Sequence, residues 1–552
     1  MTERHLAAVW EAVADALPQE VALVHGGREI AWRDFDDRAA RLATAFRALG
    51  LRPGAKVAID LYNCPEYFEV FLAAAKIDAV SVNVNYRYRH DELLQLLTDA
   101  DVEAIVVHRS LSERVLPIVD RLPLVRAIVQ VDQHGATAAV PDGVYAYEQL
   151  IADHDAASRQ HHTGGMFLSY TGGTTGLPKG VMYTMEGVTE RSLDTRPLIC
   201  GVGANWTASV VEVARELRDR GVRPVALPAS PLMHSTGFTF VSLPALCAGG
   251  TVVTCTSTRF DAEDVLATIE RRGATVAGIV GDAFALPIVK ALDERAAAGH
   301  PYDTSTLRTM CSAGVAWSGE VKRRLLDHVP QLVLVDGCGS TEGGTYGISI
   351  VRHGDPAHTA RFQPAAGTFI MASDGSEAPD GVEGLIAART ATSGYYKHPD
   401  ATAERFRTIA GLPYVVPGDY GRIEPDGSIT LIGRGSSTIN IGGEKVHPEE
   451  VEDVIRSIDG VDDCLVLGLT DERLGQVVAA LVQPTAPASV HEDDVVQWCR
   501  QQLAGYKVPR LVAMVAAVPR FPNGKADLAG ARQLAVAADG SDATKSQSRS
   551  RV

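Results

Sequence analysis

A chain of 552 residues, 46% of them hydrophobic, is long enough for a large buried core and for about three or four domains or subdomains. A formal net charge of -16 argues against nucleic-acid binding through a general basic field, while leaving local basic sites open. Eight scattered cysteines (Cys64, Cys200, Cys247, Cys255, Cys311, Cys338, Cys464 and Cys499) with no C-x-x-C pair disfavour a zinc or redox motif and point to free thiols in a reducing cytosol.

The first segment, "MTERHLAAVWEAVADAL", carries acids and bases throughout and reads as an amphipathic helix, not a signal peptide. From position 56 strand-like and helix-like runs alternate: "KVAIDL", "PEYFEVFLAAAKI", "AVSVNVN", "RHDELLQLLTDA", "VEAIVV". Strands alternating with helices of this length predict β-α-β units and a parallel sheet. A polar break, "DHDAASRQHHTGG", closes this block. The apolar stretch 237–255 contains Pro244 and the pair Gly249-Gly250. It predicts a core helix, a turn and a strand, because a membrane span needs about 20 unbroken apolar residues. A second alternating block follows, from "GTVVTC" through "DAEDVLATIERRG", "TVAGIVG", "FALPIVKALDERAAAG", "LRTMCSAG" and "GEVKRRLLDHV" to "LVLVDGCGSTE". After about position 367 short runs and turns predict antiparallel β structure, and after 434 a small α+β unit.

The expected fold is therefore α/β. A large N-terminal domain, 1–434, holds two doubly wound α/β subdomains (about 1–162 and 163–364) and a β region (365–434). A small mobile α+β domain spans 435–537, and the polar tail 538–552 is expected to lack order.

The most informative string is "YTGGTTGLPKGV", 170–181. Glycines Gly172 and Gly173 let backbone N–H groups approach phosphate oxygens, Thr171, Thr174 and Thr175 add hydroxyls, and Lys179 adds positive charge. It is not the common phosphate loop, whose lysine is followed by Ser or Thr; here Gly180 follows. A plain Gly-rich turn is the competing reading. The full string closely resembles the signature loop of the adenylate-forming superfamily: acyl-CoA synthetases, luciferases and peptide-synthetase adenylation domains. Gly172 stands where that loop usually has Ser.

Further motifs follow in the order that family carries them. "PLMHSTGF" resembles the segment whose histidine borders the acyl pocket and the pyrophosphate path, which implies that role for His234. "CSAGVAWS" resembles the loop lining the adenine and acyl sites, with Ala313 and Gly314 as its small residues. In "DGCGSTEGG", the resemblance places Asp336, Cys338, Gly339 and Ser340 at the nucleotide. Thr341 would bond the α-phosphate and Glu342 would hold Mg²⁺ through a hard oxygen ligand, with Thr171 as a second metal contact. Cys338 replaces the usual adenine-stacking aromatic. "VVPGDYGRIEPDG" supplies Asp419 for the ribose hydroxyls, with Pro417 where Thr is common. "GRGSSTINIGGEKVHPEEVE" supplies Arg434 for ribose or phosphate, a hinge after it, and Gly442-Gly443 beside the pantetheine tunnel; Ser436 and Asn440 depart from the common hinge residues. "PRFPNGKADLAG" matches the last motif, and makes Lys525 the lysine that bridges carboxylate and phosphate during adenylation.

The resemblance covers 163–525 and looks closest to bacterial ligases of fatty acids and steroid side-chain acids. It implies an enzyme that uses ATP, Mg²⁺ and CoA to activate a carboxylic acid, with no nucleic-acid partner and no membrane span. It leaves room for a homodimer and for a cytoplasmic location. Three other readings stay open: an adenylating enzyme with an amine or nitrite chemistry, a carrier-protein loader, or a nucleotide-binding relative without activity. Small residues in 281–284 and 311–315 point to a medium, branched or ring-bearing acid.

Overall fold

The computed structural model describes residues 4–88, 90–132, 139–162, 164–171, 178–372, 374–434, 439–441, 444–471, 475–487, 489–503, 505–521 and 524–549. Both alternating blocks fold as the strand and helix periodicities require. In the first, a seven-stranded sheet runs Val144–Ala146, Ala127–Val131, Val102–His108, Lys56–Asp60, Val80–Asn83, Met166–Thr171, Lys179–Thr184. Every neighbouring pair is parallel except the last, a hairpin. In the second, Thr251–Thr254, Val225–Pro228, Val276–Ile279, Thr309–Ala313 and Val333–Ser340 form the parallel heart of a 15-stranded sheet. That sheet continues through antiparallel strands from Gly344–Val351 to Ile429–Arg434.

Local chemistry fixes many boundaries. Helix Ala262–Arg272 starts because the Asp261 carboxylate accepts from the N–H groups of Glu263 and Asp264, and stops at Gly273 in the left-handed conformation. The expected core helix in 237–255 is present, but its first part, Thr236–Ser242, is wound as a π-helix that passes into Leu243–Cys247. Such widened turns cluster at functional sites. From it Phe238 packs ring against ring with Tyr67, Phe68, Phe71 and Phe167, each burial contributing about 1.5–3 kcal/mol.

Three details differ from the sequence expectation. Strand Val21–His25 joins the second sheet, parallel to Thr251–Thr254, and hairpin Met166–Thr171/Lys179–Thr184 joins the first. The sheets thus cross the boundary drawn between 162 and 163, since an apolar strand buried on both faces carries no local sign of which sheet it enters. The amphipathic first helix, Leu6–Ala16, is buried on most of its surface, Trp10 and Glu11 included. The last helix, Leu528–Arg549, continues into the segment expected to lack order; its Ala-rich first half favours helix.

After 434 a second, smaller sheet carries Glu444–Val446, Ile439–Ile441, Gly475–Pro484 and Val461–Asp471, with Leu511–Met514 parallel to Gly475–Pro484. Helices Pro448–Arg456 and Glu492–Gln502 cover one face and the last helix covers the other.

Candidate active site

Strand Val333–Ser340 leaves the sheet through a bulge at Cys338 and Gly339 and enters the turn 341–343. A Cβ on Gly339 would lie 2.0 Å from the Gly344 carbonyl oxygen, so only glycine allows this approach. The turn is held from several sides. The Tyr183 hydroxyl donates to the Thr341 carbonyl, and the Thr390 (2.9 Å) and Thr392 hydroxyls donate to the Glu342 carbonyl. Arg191 packs beneath Gly344 and bonds the Thr345 hydroxyl at 3.2 Å. Ser340 Oγ accepts from the Tyr346 hydroxyl and from the Gly343 N–H. Glu342 is half-buried, and its Oε1 accepts from the Tyr395 hydroxyl at 2.6 Å.

Thr171 faces Lys179 across the hairpin, which brings the two ends of the Gly-rich loop together. Gly172, Gly173, Thr174 and Thr175 lie outside the described residues, as does the Thr171 side chain. Gly180 is required by packing: a Cβ there would lie 2.6 Å from the Tyr170 ring, whose hydroxyl donates to Asp99. The Lys179 ammonium sits 6.0 Å from the centre of the Tyr395 ring.

The loop that carries His234 is clasped by two asparagines. Asn63 donates to the Pro228 and Ser230 carbonyls at 3.0 Å and accepts from the Leu232 N–H; Asn83 donates to the Met233 carbonyl at 2.6 Å. Asn83 also accepts from the Tyr170 N–H, tying this loop to the phosphate-loop hairpin. His234 Nε2 is buried without a hydrogen-bond partner among the described residues. Burial pushes the imidazole down to about 3, with Lys525 and Arg87 adding to the shift, so it is neutral near pH 7.

Ala313 ends a strand, and Gly314 follows at φ +93° with open space around it, so its backbone conformation is what calls for glycine. This loop is fastened to the start of helix Gly281–Ala297: Gly281 N–H donates to Ser312 Oγ at 2.8 Å and Asp282 N–H to the Ala316 carbonyl at 3.0 Å. Lys525 arrives on a tight hairpin, closed by Phe521 N–H to Lys525 O and Gly524 N–H to Phe521 O, both 2.8 Å. Arg520 anchors that hairpin through a two-pronged pair with Asp463 at 2.6 and 2.8 Å. Gly524 presses on the large domain: a Cβ there would lie 2.6 Å from that of Ala283, with Val315 also near. Lys525 is thereby brought into the electrostatic reach of His234.

Two of the residues expected at the nucleotide, Asp336 and Cys338, are buried. Asp336 is buried in an ion pair with Lys322 at 2.7 Å, and Lys322 also donates to the His358 carbonyl. Its carboxylate is taken up inside the sheet-to-helix layer, so it serves the fold. Cys338 is buried in an apolar cluster with Tyr346, Phe362 and Ile370. Asp419 is buried opposite Arg434 in the strand register; burial raises the Tyr346 phenol, and Asp419 adds to the shift. The Arg434 side chain, Ser436, Gly442 and Gly443 and the Asn440 side chain lie outside the described residues.

Sequence reasoning missed Asn63, Asn83, Tyr183, Arg191, Arg520 and the run Thr390, Thr392, Tyr395. Only the last left a signal, the closely spaced hydroxyls of "ARTATSGYY".

Comparison with known proteins places this geometry in a family. Residues 10–396 match the AMP-binding enzyme family, and residues 450–525 match the AMP-binding enzyme C-terminal domain. The chain is 36% identical over 539 residues to a 3-oxocholest-4-en-26-oate–CoA ligase of Rhodococcus rhodochrous, covering 95% of this chain and 94% of that one. It is 35% identical to the medium-chain acyl-CoA ligase Mig of Mycobacterium avium, covering 96% and 98%. Among solved structures it is similar to an anthranilate CoA ligase in complex with anthranoyl-AMP, with a TM-score of 0.81, 21% identity and 96% and 97% coverage. The chain belongs to the AMP-binding enzyme family, and its fold is that of the adenylate-forming enzymes.

Proposed function

We propose that this chain is an acyl-CoA ligase that couples a carboxylic acid to the α-phosphate of ATP, releases pyrophosphate, and passes the acyl group from the adenylate to the CoA thiol. The observation that carries the reading is the docking of the Lys525 hairpin on Ala283 and Val315, with its charge reaching His234. Residues from three distant parts of the chain meet there, and relatives covering nearly the whole chain are named CoA ligases.

In the first half-reaction an anionic carboxylate must approach a polyanion. Lys525 supplies charge from the small domain and Lys179 from the hairpin. His234, neutral, offers a ring nitrogen for a hydrogen bond without adding charge. Thr341 and Glu342 sit on a turn whose carbonyls are already committed, so the side chains are oriented before substrate arrives. A half-buried carboxylate with hard oxygens fits Mg²⁺, and Glu342 would hold it, with Thr171 as a second contact; bound there the ion would offset phosphate charge. Asp419 would take the ribose hydroxyls, Arg434 the ribose or phosphate, and Gly442-Gly443 the pantetheine arm. The second half-reaction needs Lys525 to leave, and a hairpin closed by its own backbone bonds can carry it away from Ala283 and Val315.

The acid we propose is of medium size, branched or ring-bearing. The small residues Gly281, Ala283, Ala313 and Gly314 support this. Among the described residues no helix is long and apolar enough to cross a membrane. The test is pyrophosphate release from MgATP with a panel of acids, with and without CoA, and with nitrite plus an aryl amine. Release sustained by CoA, with the thioester seen by mass spectrometry, is the expected result. Release independent of CoA would transfer the chain to an enzyme with another acceptor.

A further inference from the structure

Segment 390–396 touches both the Lys179 strand and the Glu342 turn. Its backbone is hydrogen-bonded to that strand: Ser393 N–H to Met182 O (3.1 Å), Met182 N–H to Gly394 O (2.9 Å) and Tyr396 N–H to Gly180 O (2.8 Å). Its side chains reach the other way, Thr390 and Thr392 to the Glu342 carbonyl and Tyr395 to the Glu342 carboxylate. Tyr395 does two things at once. Its hydroxyl donates to Glu342 Oε1 at 2.6 Å, and its ring lies under the Lys179 ammonium at 6.0 Å. Thr402, which accepts from the Tyr395 N–H at 2.9 Å, and Phe406, whose ring meets the tyrosine edge-on, hold the residue in place.

We propose that Tyr395 is the positioning residue that sets the Glu342 carboxylate and the Lys179 ammonium relative to each other, so that the metal and the phosphate tail of the nucleotide are recognised as one unit. The inference rests on the proposed nucleotide site. It assigns the tyrosine no contact with the reacting atoms. A phenol donating to Oε1 fixes the carboxylate plane and leaves Oε2 to face a cation, as hydrogen-bonded partners of metal-binding carboxylates do. The ring face attracts the ammonium at the same time.

The test is the affinity of the full chain for ATP, by calorimetry, with Mg²⁺ and with EDTA, for the wild type, Tyr395→Phe, Glu342→Gln and the double variant. Tyr395→Phe is expected to weaken ATP binding about 10-fold in Mg²⁺ while leaving binding in EDTA close to wild type. Glu342→Gln is expected to remove most of that difference, and adding Tyr395→Phe to it should change little. Tyr396→Phe, whose hydroxyl goes to Asp101 at 2.9 Å, is the matched control and should behave as wild type. Equal weakening with Mg²⁺ and EDTA, tighter binding with Mg²⁺, or no change in Tyr395→Phe would each overturn the assignment. The assay requires no acid. Absence of pyrophosphate release with every acid would count against the ligase reading alone, and an unchanged Mg²⁺ dependence of ATP binding in Tyr395→Phe against this one alone.

Discussion

The turn at 340–345 and the hairpin at 520–526 bring residues to the proposed site by opposite means. The turn is built in: Tyr183, Arg191, Thr390, Thr392 and Tyr395 converge on it from three segments, and every carbonyl they reach is occupied. The hairpin is self-contained. Its own backbone bonds and the Arg520–Asp463 pair give it shape, and it meets the large domain at Gly524. A rigid receiver and a separately folded donor suit a reaction with two steps, because one lysine can be withdrawn without disturbing the nucleotide's cradle.

Breaking the built-in side has the largest expected effect. Lys322→Met leaves Asp336 buried and unpaired, and should cost about 3–5 kcal/mol in urea unfolding. The companion change Asp336→Asn should recover part of it. Loss of ATP affinity in Asp336→Asn with stability intact would instead return Asp336 to the nucleotide. On the other side, Gly524→Val puts a side chain at φ +80° and 2.6 Å from the Ala283 Cβ. Displacing the hairpin by about 1 Å should slow acyl-adenylate formation about 10²-fold. Transfer from a supplied acyl-adenylate to CoA should be spared, and equal slowing of both steps would show that the contact serves more than closure.

The smallest effect concerns the junction between the two parts. Glu449, at the start of helix Pro448–Arg456, lies against Gly433; a Cβ on that glycine would be 2.2 Å from Glu449 Oε2, which has no hydrogen-bond partner among the described residues. Burial pushes this carboxyl up to about 8; Glu452, Asp453 and Asp419 add to it, and the helix backbone opposes it. The folded value lies above the ordinary 4.5, so the folded state binds the proton more tightly. Stability is therefore full below that value and is lost as pH rises toward 8. Glu449→Gln should stabilise the chain by about 1–2 kcal/mol at pH 8 and by much less at pH 5, read from paired thermal melts. Equal effects at both pH values would contradict the buried-acid account.

Much of the fold was legible because its signals are local. Asp261 and Gly273 bound their helix wherever it packs, and Gly339 marks a close backbone approach whatever lies above it. Assignment of strands to sheets was not legible: Val21–His25 pairs with Thr251–Thr254, far along the chain, and nothing in "VALVH" names that partner. In the site, the motif residues could be named from resemblance, and their supports could not. Asn63, Asn83 and Arg520 act through a few long-range hydrogen bonds each, which leave no periodicity. Asp336 is a converse case. It stands beside the motif in sequence, but the pleat turns it toward Lys322.

In the proposed reaction Lys525 serves only the first half. Single-turnover rates for Lys525→Ala test it most directly, with acyl-adenylate formation from acid and MgATP measured beside thioester formation from supplied acyl-adenylate and CoA. The predicted result is a loss of about 10²–10³-fold in the first rate and little change in the second. Equal losses in both, or an unchanged first rate, would contradict it.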